Sequence, residues 1–172
     1  ARGDLGIEVP YYEVPTIQKM LIKKANESSI PVITATQMLL SMTKSERATR
    51  AEISDVANAV LDGTDVVMLS EESAIGDNPI NVVQTMKNII SKTEEIYNYN
   101  KQYKMNYLDQ FDVIQATATK LADDIEAKGI LALTSSGQSA IRMSRYRPKT
   151  PILTFTHEKE VLSSLCIAWG VN

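Results

Sequence analysis

Thr49-Arg50-Ala51-Glu52-Ile53-Ser54-Asp55-Val56-Ala57-Asn58-Ala59-Val60-Leu61-Asp62-Gly63-Thr64-Asp65, continuing through Val66-Val67-Met68-Leu69-Ser70, is the stretch that decides the fold. Thr49 and Glu52 stand at capping-box spacing, where a hydroxyl and a carboxylate each satisfy a backbone N–H at a helix start. Ile53, Val56, Ala57 and Val60 follow at helical spacing, and Gly63 is well placed to stop the helix. Asp65 to Ser70 then reads as an apolar strand, followed by the polar run Ser70-Glu71-Glu72-Ser73.

The same rhythm extends outward. Val14 to Ser29 reads as a helix with Ile17, Met20, Leu21 and Ala25 on one face and Pro15 near its start, where a missing N–H costs little. Pro31 to Thr36 reads as a strand, buried at its start, and Asn78-Pro79 opens a helix with Ile80, Val83, Met86, Ile89 and Ile90 as its apolar face. Strands alternating with helices imply parallel pairing. In such folds the polar residues just past strand C-ends face the ligand crevice. Arg2-Gly3-Asp4, Thr36-Gln37 and Ser70-Glu71-Glu72-Ser73 hold those positions and are expected to converge on one rim, although helix capping explains each one singly.

Ala1-Arg2-Gly3-Asp4-Leu5-Gly6 reads as a phosphate- and metal-handling turn. Gly3 lets backbone N–H groups approach a ligand closely. Asp4 is a hard oxygen donor suited to Mg²⁺. Arg2 is a permanent cation with a planar fork for carboxylate or phosphate. A strand is expected to lead into such a turn, so the sequence is expected to begin inside a longer protein.

Beyond Glu95 the composition changes, and residues 95–110, rich in Tyr and Asn, read as an inter-domain linker. Asp112 to Lys128 reads as a helix packing Ile114, Ala118, Leu121 and Ile125, with Gly129 as its stop. Ile130 to Thr134 and Ile152 to Phe155 read as strands, and a last helix runs through Leu162, Leu165 and Trp169. Between those strands, Thr134-Ser135-Ser136-Gly137-Gln138-Ser139-Ala140 places hydroxyls and a Gly at a strand–helix junction, where a helix dipole favours an anion. Ordinary N-capping accounts for the same residue types. Gly170-Val171-Asn172 is where a further strand is expected to begin.

Composition removes several function classes. Lys and Arg number 18 against 21 Asp and Glu, interspersed, so a nucleic-acid surface is not expected. The apolar runs are too short to span a membrane. The glycines form neither a Gly-x-Gly fingerprint nor a Gly-Lys-Ser/Thr loop, and one His with one Cys excludes a His/Cys zinc site. His157 reads as a solvated turn residue. Cys166 suits a reducing compartment and, in an apolar stretch, reads as a buried structural thiol.

Taken together and in order, Ala1–Gly6, Pro31–Leu39, Thr49–Asp65 and Val67–Ser70 resemble the motifs of the pyruvate kinase family, over nearly the whole chain. The resemblance implies an α/β fold: the last βα units of a partial (β/α)₈ TIM barrel over residues 1–94, a linker over 95–110, and an incomplete α/β regulatory domain with a mainly parallel sheet over 111–172. It implies phosphoryl transfer from phosphoenolpyruvate to ADP, giving pyruvate and ATP, the last step of glycolysis. It assigns Gly3, Asp4 and Thr36 to substrate and Asp4 to Mg²⁺ or Mn²⁺. Arg2, Ser70 and Glu72 fall near the active site.

Thr134, Ser136 and Ser139 match positions for the phosphate of a sugar-phosphate or nucleotide effector. The family's catalytic Lys, a second metal-ligating carboxylate and the K⁺ ligands map upstream of Ala1, so this chain alone is expected to be inactive. A cytoplasmic homotetramer is implied for the parent. There are departures from the family pattern. Glu71 stands where the family usually has Gly, which puts the local backbone in question, Ala48 stands where it often has Pro, and Ser135 stands where sugar-bisphosphate-activated members often carry Lys. The alternative function is a non-catalytic phosphate-binding α/β module, and a structural fragment is the third.

Overall fold

A computed structural model describes residues 1–100 and 109–172. Residues 101–108 of the expected linker, including Tyr103 and Tyr107, lie outside the described residues. The chain divides into two compact units, Ala1–Lys23 with Val32–Tyr97, and Lys24–Pro31 with Asn98–Asn172.

The first unit is organised by the Thr49–Ser70 stretch. Thr49 and Glu52 form the capping box that opens α3 (Arg50–Asp62), and Gly63, at φ 97°, closes it in left-handed backbone. α3 connects β1 (Ile33–Thr34) to β2 (Val66–Val67), which pair in parallel with Ile33 opposite Val66 and Thr34 opposite Val67. The residues after Gly63 lock the pair. The Thr64 hydroxyl accepts from the Thr34 hydroxyl at 2.9 Å and donates toward Val32 O and Val66 O, while Asp65 Oδ2 accepts from Val32 N–H at 2.9 Å.

Both strands are shorter than the sequence implies, and β1 is buried at its end, not its start. Ile33 is exposed, whereas Thr34 and Ala35 are buried. The physical reason is that β1 pairs on one side only among the described residues, so Ile33 has no second strand beside it.

The remaining helices of this unit are α1 (Arg2–Glu8), α2 (Val14–Glu27, of which residues up to Lys23 belong here), α4 (Glu71–Ala74) and α5 (Pro79–Glu94). The N-terminal motif is therefore the first turn of a helix, not a free turn. Met38, Leu39, Met42, Val56, Ala59, Val82 and Met86 form the core. α5 starts as expected, with the Asn78 side chain accepting from Asn81 N–H and Pro79 in its first turn. Its buried stripe is Val82, Met86 and Thr93, whereas Ile80 and Val83 are exposed at 82% and 54%. The expected face was rotated because α3 and α4 both pack on α5 and together select a stripe beginning at Val82.

The second unit contains α6 (Gln110–Asp124), β3 (Ile130–Leu133), α7 (Gln138–Ser144), β4 (Ile152–Phe155) and α8 (Lys159–Leu165). β3 and β4 are parallel over four residue pairs, and Val171 adds a parallel bridge to Ile152, the further strand expected at the C-terminal residues. Ala132, Ala140, Met143, Ile152 and Leu165 make the core.

Four expectations fail here. α6 ends at Asp124, because Glu126 takes left-handed backbone at φ 53° and the Ala127 N–H reaches back to Ala122 O, well before Gly129. Gly129 instead gives space to Leu153, whose Cδ1 would stand 3.0 Å from a Cβ there. α6 buries Asp112, Gln115, Ala116, Thr119 and Ala122, leaving Ile114, Leu121 and Ile125 exposed, because a buried ion pair of Asp112 with Arg145 turns the polar edge inward. Cys166 is exposed and Trp169 lies past α8, since Leu165 and Ala168 occupy the buried positions there. His157 is exposed beside Glu158, as expected of a turn residue.

Candidate functional site

The first unit brings two of the three strand-end motifs directly together. The Gly3 N–H donates to Thr36 Oγ1 at 2.9 Å, and the Thr36 hydroxyl in turn donates to Ala35 O at 2.7 Å. A Cβ added at Gly3 would sit 3.7 Å from Thr36 Oγ1, ordinary contact, so it is the backbone amide and not the missing side chain that makes this junction. Thr36 and Gln37 both have positive φ, 72° and 54°. For a β-branched residue this is a genuine outlier, and such conformations cost on the order of 1–3 kcal/mol each and gather at ligand-handling sites.

Arg2 holds this corner. Its Nε donates to Ala35 O at 3.3 Å, its Nη2 to Thr36 O at 2.6 Å and Gln37 O at 3.2 Å, and its Nη1 to both carboxylate oxygens of Asp55 at 2.7 and 2.6 Å. The fork read from the sequence as a ligand for phosphate or carboxylate is thus occupied by the protein itself. Gln37 belongs to a strand end read from the sequence, whereas Asp55 does not. Nothing local in Ser54-Asp55-Val56 signals a partner far upstream in the chain; only the parallel β1–α3–β2 arrangement brings them together.

Asp4 is exposed, and its carboxylate has no hydrogen bond or ion pair among the described residues. A lone free carboxylate suits a divalent cation as one of several oxygen ligands. Among the described residues no group of three or more His, Cys, Asp or Glu could hold a metal ion. Asp4 therefore fits the implied Mg²⁺ as a contributing ligand, not as a complete site.

The third motif joins through Glu72. This residue is 1% exposed, and its carboxylate accepts from Ser70 N–H at 2.8 Å and Leu39 N–H at 3.3 Å. It ties the start of α4 to the segment three residues past Thr36. Ser70 meets that segment through Glu72 among the described residues. Glu71 opens α4 with ordinary helical backbone, so the departure from Gly is absorbed there. Gly76 is the glycine this turn needs, since a Cβ would stand 2.2 Å from Glu72 O.

Behind the rim, Glu52 accepts from Ser41 N–H, Ser41 Oγ, Thr49 N–H and Thr49 Oγ1 at 2.6–2.8 Å. Burial alone pushes its carboxyl up, but the hydrogen bonds from Ser41 and Thr49 outweigh burial and hold it below its ordinary range.

In the second unit, Thr134 Oγ1 accepts from Gly137 N–H at 2.9 Å, closing the loop before α7 with Gly137 at φ 80°. Ser136 is exposed and Ser139 half-buried. A Cβ at Gly137 would press on Val161 and Leu165. Thr134 thus has a structural duty, and the two serines stand on either side of Gly137 in sequence.

Two family models match the chain: the pyruvate kinase barrel domain over residues 1–83 and the pyruvate kinase alpha/beta domain over residues 112–172. The chain is 48% identical to a pyruvate kinase of Clostridium acetobutylicum, covering all of this chain and 37% of that protein. It is 47% identical to pyruvate kinase 2 of Synechocystis, again over its whole length and 29% of the relative. A crystal structure of a pyruvate kinase from Cryptosporidium parvum superposes with a TM-score of 0.91 at 42% identity, covering 100% of this chain and 36% of that one. The chain spans about a third of the length of the curated relatives it matches.

Proposed function

This chain belongs to the pyruvate kinase family, and from that premise we propose that it forms part of an enzyme transferring the phosphoryl group of phosphoenolpyruvate to ADP, giving pyruvate and ATP. The observation that carries the reading is the joined Gly3–Thr36 corner with the free Asp4 carboxylate beside it in sequence. Residues 1–94 supply the end of the catalytic barrel and residues 111–172 part of a regulatory domain.

In this reading the substrate carboxylate takes the Gly3 N–H from Thr36 Oγ1, while the Asp4 N–H lies in the first turn of α1, where the helix offers no acceptor of its own. The freed Thr36 hydroxyl, still tethered to Ala35 O, faces the substrate near the carbon that is protonated. Asp4 would contribute one ligand to Mg²⁺ or Mn²⁺, which when bound would supply positive charge to offset that of the substrate. Glu72 fixes the segment after Thr36, and Ser70 stands at the same rim. These parts work by positioning and charge stabilisation, the main sources of rate in phosphoryl transfer.

The family's catalytic Lys, second metal carboxylate and K⁺ ligands have no counterpart in this chain, so the 172 residues alone are inactive, and activity belongs to a longer, cytoplasmic, tetrameric protein. The described residues include no helix long and apolar enough to cross a membrane. The test is Asp4→Ala in the full-length protein: pyruvate formation falls by about 10²–10³-fold and Mn²⁺ binding weakens in parallel. Unchanged rate and Mn²⁺ affinity would remove Asp4 from the site.

A second, regulatory reading places an effector phosphate on Thr134, Ser136 and Ser139. The closed Thr134–Gly137 loop favours it; Ser135 in place of a cation weakens it. Calorimetric titration with sugar phosphates and nucleoside monophosphates should give binding heat that Ser136→Ala reduces; no heat with either ligand class rejects it.

A further inference from the structure

We propose that Asp55 is a positioning residue for this reaction, acting through Arg2 on the left-handed pair Thr36–Gln37; the proposal rests on the reaction assigned above. A guanidinium carries five donors and no acceptor. Arg2 directs them onto three successive carbonyls, those of Ala35, Thr36 and Gln37, and onto Asp55. The direction of successive carbonyls sets the backbone torsions between them, so this grip holds the two residues in a conformation they otherwise avoid.

Carbonyls accept the guanidinium's hydrogen bonds without cancelling its charge. Asp55 is the carboxylate on Arg2 among the described residues, and both of its oxygens lie within 2.7 Å of Nη1. Asp55 is itself held on a rigid support: α3 is capped at both ends, and the adjacent Val56 is fully buried. The chain of constraint therefore runs from α3 through Asp55 and Arg2 to the Thr36 hydroxyl and the Gly3 N–H. Asp55 touches neither of those groups, which is why it positions and does not catalyse.

The experiment uses the full-length protein with Asp55→Asn, Asp55→Glu, Arg2→Lys and the Arg2→Lys/Asp55→Asn pair. Lys19→Ala, which removes an ion pair to Asp62 on the same helix, is the control. Two quantities are read: pyruvate formation, and hydrogen exchange of the Gly3 amide. Asp55→Asn is expected to speed Gly3 exchange and to lower kcat by more than tenfold, within the roughly 10²-fold that an ångström of misplacement costs. The KM for ADP and the melting temperature stay unchanged.

Asp55→Glu restores part of both effects, and Lys19→Ala moves neither. The double variant is no worse than Arg2→Lys alone, because the two residues act as one unit. Gly3 exchange unaltered by Asp55→Asn, or additive losses in the double variant, overturns the proposal. Should the unaltered full-length protein form no pyruvate, the reaction reading fails, and Gly3 exchange still decides whether Asp55 holds this corner.

Discussion

The two units use arginine in opposite ways. In the first, Arg2 is half-buried and its donors fan out over loop carbonyls, with a partly exposed Asp55 behind it. In the second, Arg145 and Arg147 are drawn into the interior. Arg145 pairs with Asp112 and Tyr146 Oη, and Arg147, 1% exposed, bonds Ser144 O and Asn26 Oδ1 and lies over the Trp169 ring. Burial, with a bond from Tyr146 Oη to the Asp112 carboxylate, pushes the Tyr146 hydroxyl up to about 12, so it stays a donor throughout the working range. A cation at a rim shapes a surface and contributes little to stability. A cation whose donors are satisfied by buried acceptors becomes part of the core. The difference teaches that charge placement, not residue type, separates site from scaffold.

The largest effect should come from breaking the buried arrangement. Asp112→Ala removes the buried carboxylate that accepts from Arg145 and should cost about 3–5 kcal/mol in urea denaturation of the second unit's signal. Asp55→Asn, at a partly exposed pair, should change stability by less than about 1 kcal/mol in the same experiment. Equal losses would erase the contrast.

Next, Gly76→Ala forces a Cβ onto Glu72 O and should cost about 1–3 kcal/mol, with loss of the Ser70 and Leu39 amide protection that Glu72 provides. Thr49→Ala, which opens the capping box of α3, should cost about 1 kcal/mol in the same measurement.

The smallest effect is an acid titration. Glu52 is held below its ordinary range as described, and so is Asp123 in the second unit, where burial pushes up but bonds from Thr150, Lys149 N–H and Asn100 outweigh it. Both carboxyls are depressed in the folded protein. Their stabilisation is therefore complete above the ordinary carboxylate range and is lost as pH falls through their lowered folded values. Glu52→Gln should flatten the acid limb of the stability curve for the first unit and leave that of the second unchanged.

How much of this was legible in the sequence divides along the same line. Local signals were legible: the Thr49–Glu52 box, the Gly63 stop, Asn78-Pro79 and β4 all stand where the residues put them. Gly3 and Thr36 were legible as a pair because parallel strands send their C-ends to one side. Helix faces were less so. α5 and α6 carry apolar residues on more than one stripe, and which stripe is buried depends on partners distant in sequence. The Asp112–Arg145 pair turned α6, and no local pattern announces it. Asp55 was missed for the same reason: its partner is 53 positions away, joined only by topology.

The most direct test is pyruvate formation from phosphoenolpyruvate and ADP, with Mg²⁺ and K⁺, by the purified 172-residue chain beside the full-length protein. The account predicts turnover by the full-length protein and none by the chain alone. Turnover by the chain alone would contradict it, because the lysine and the second metal carboxylate assigned to the rest of the enzyme would then be dispensable.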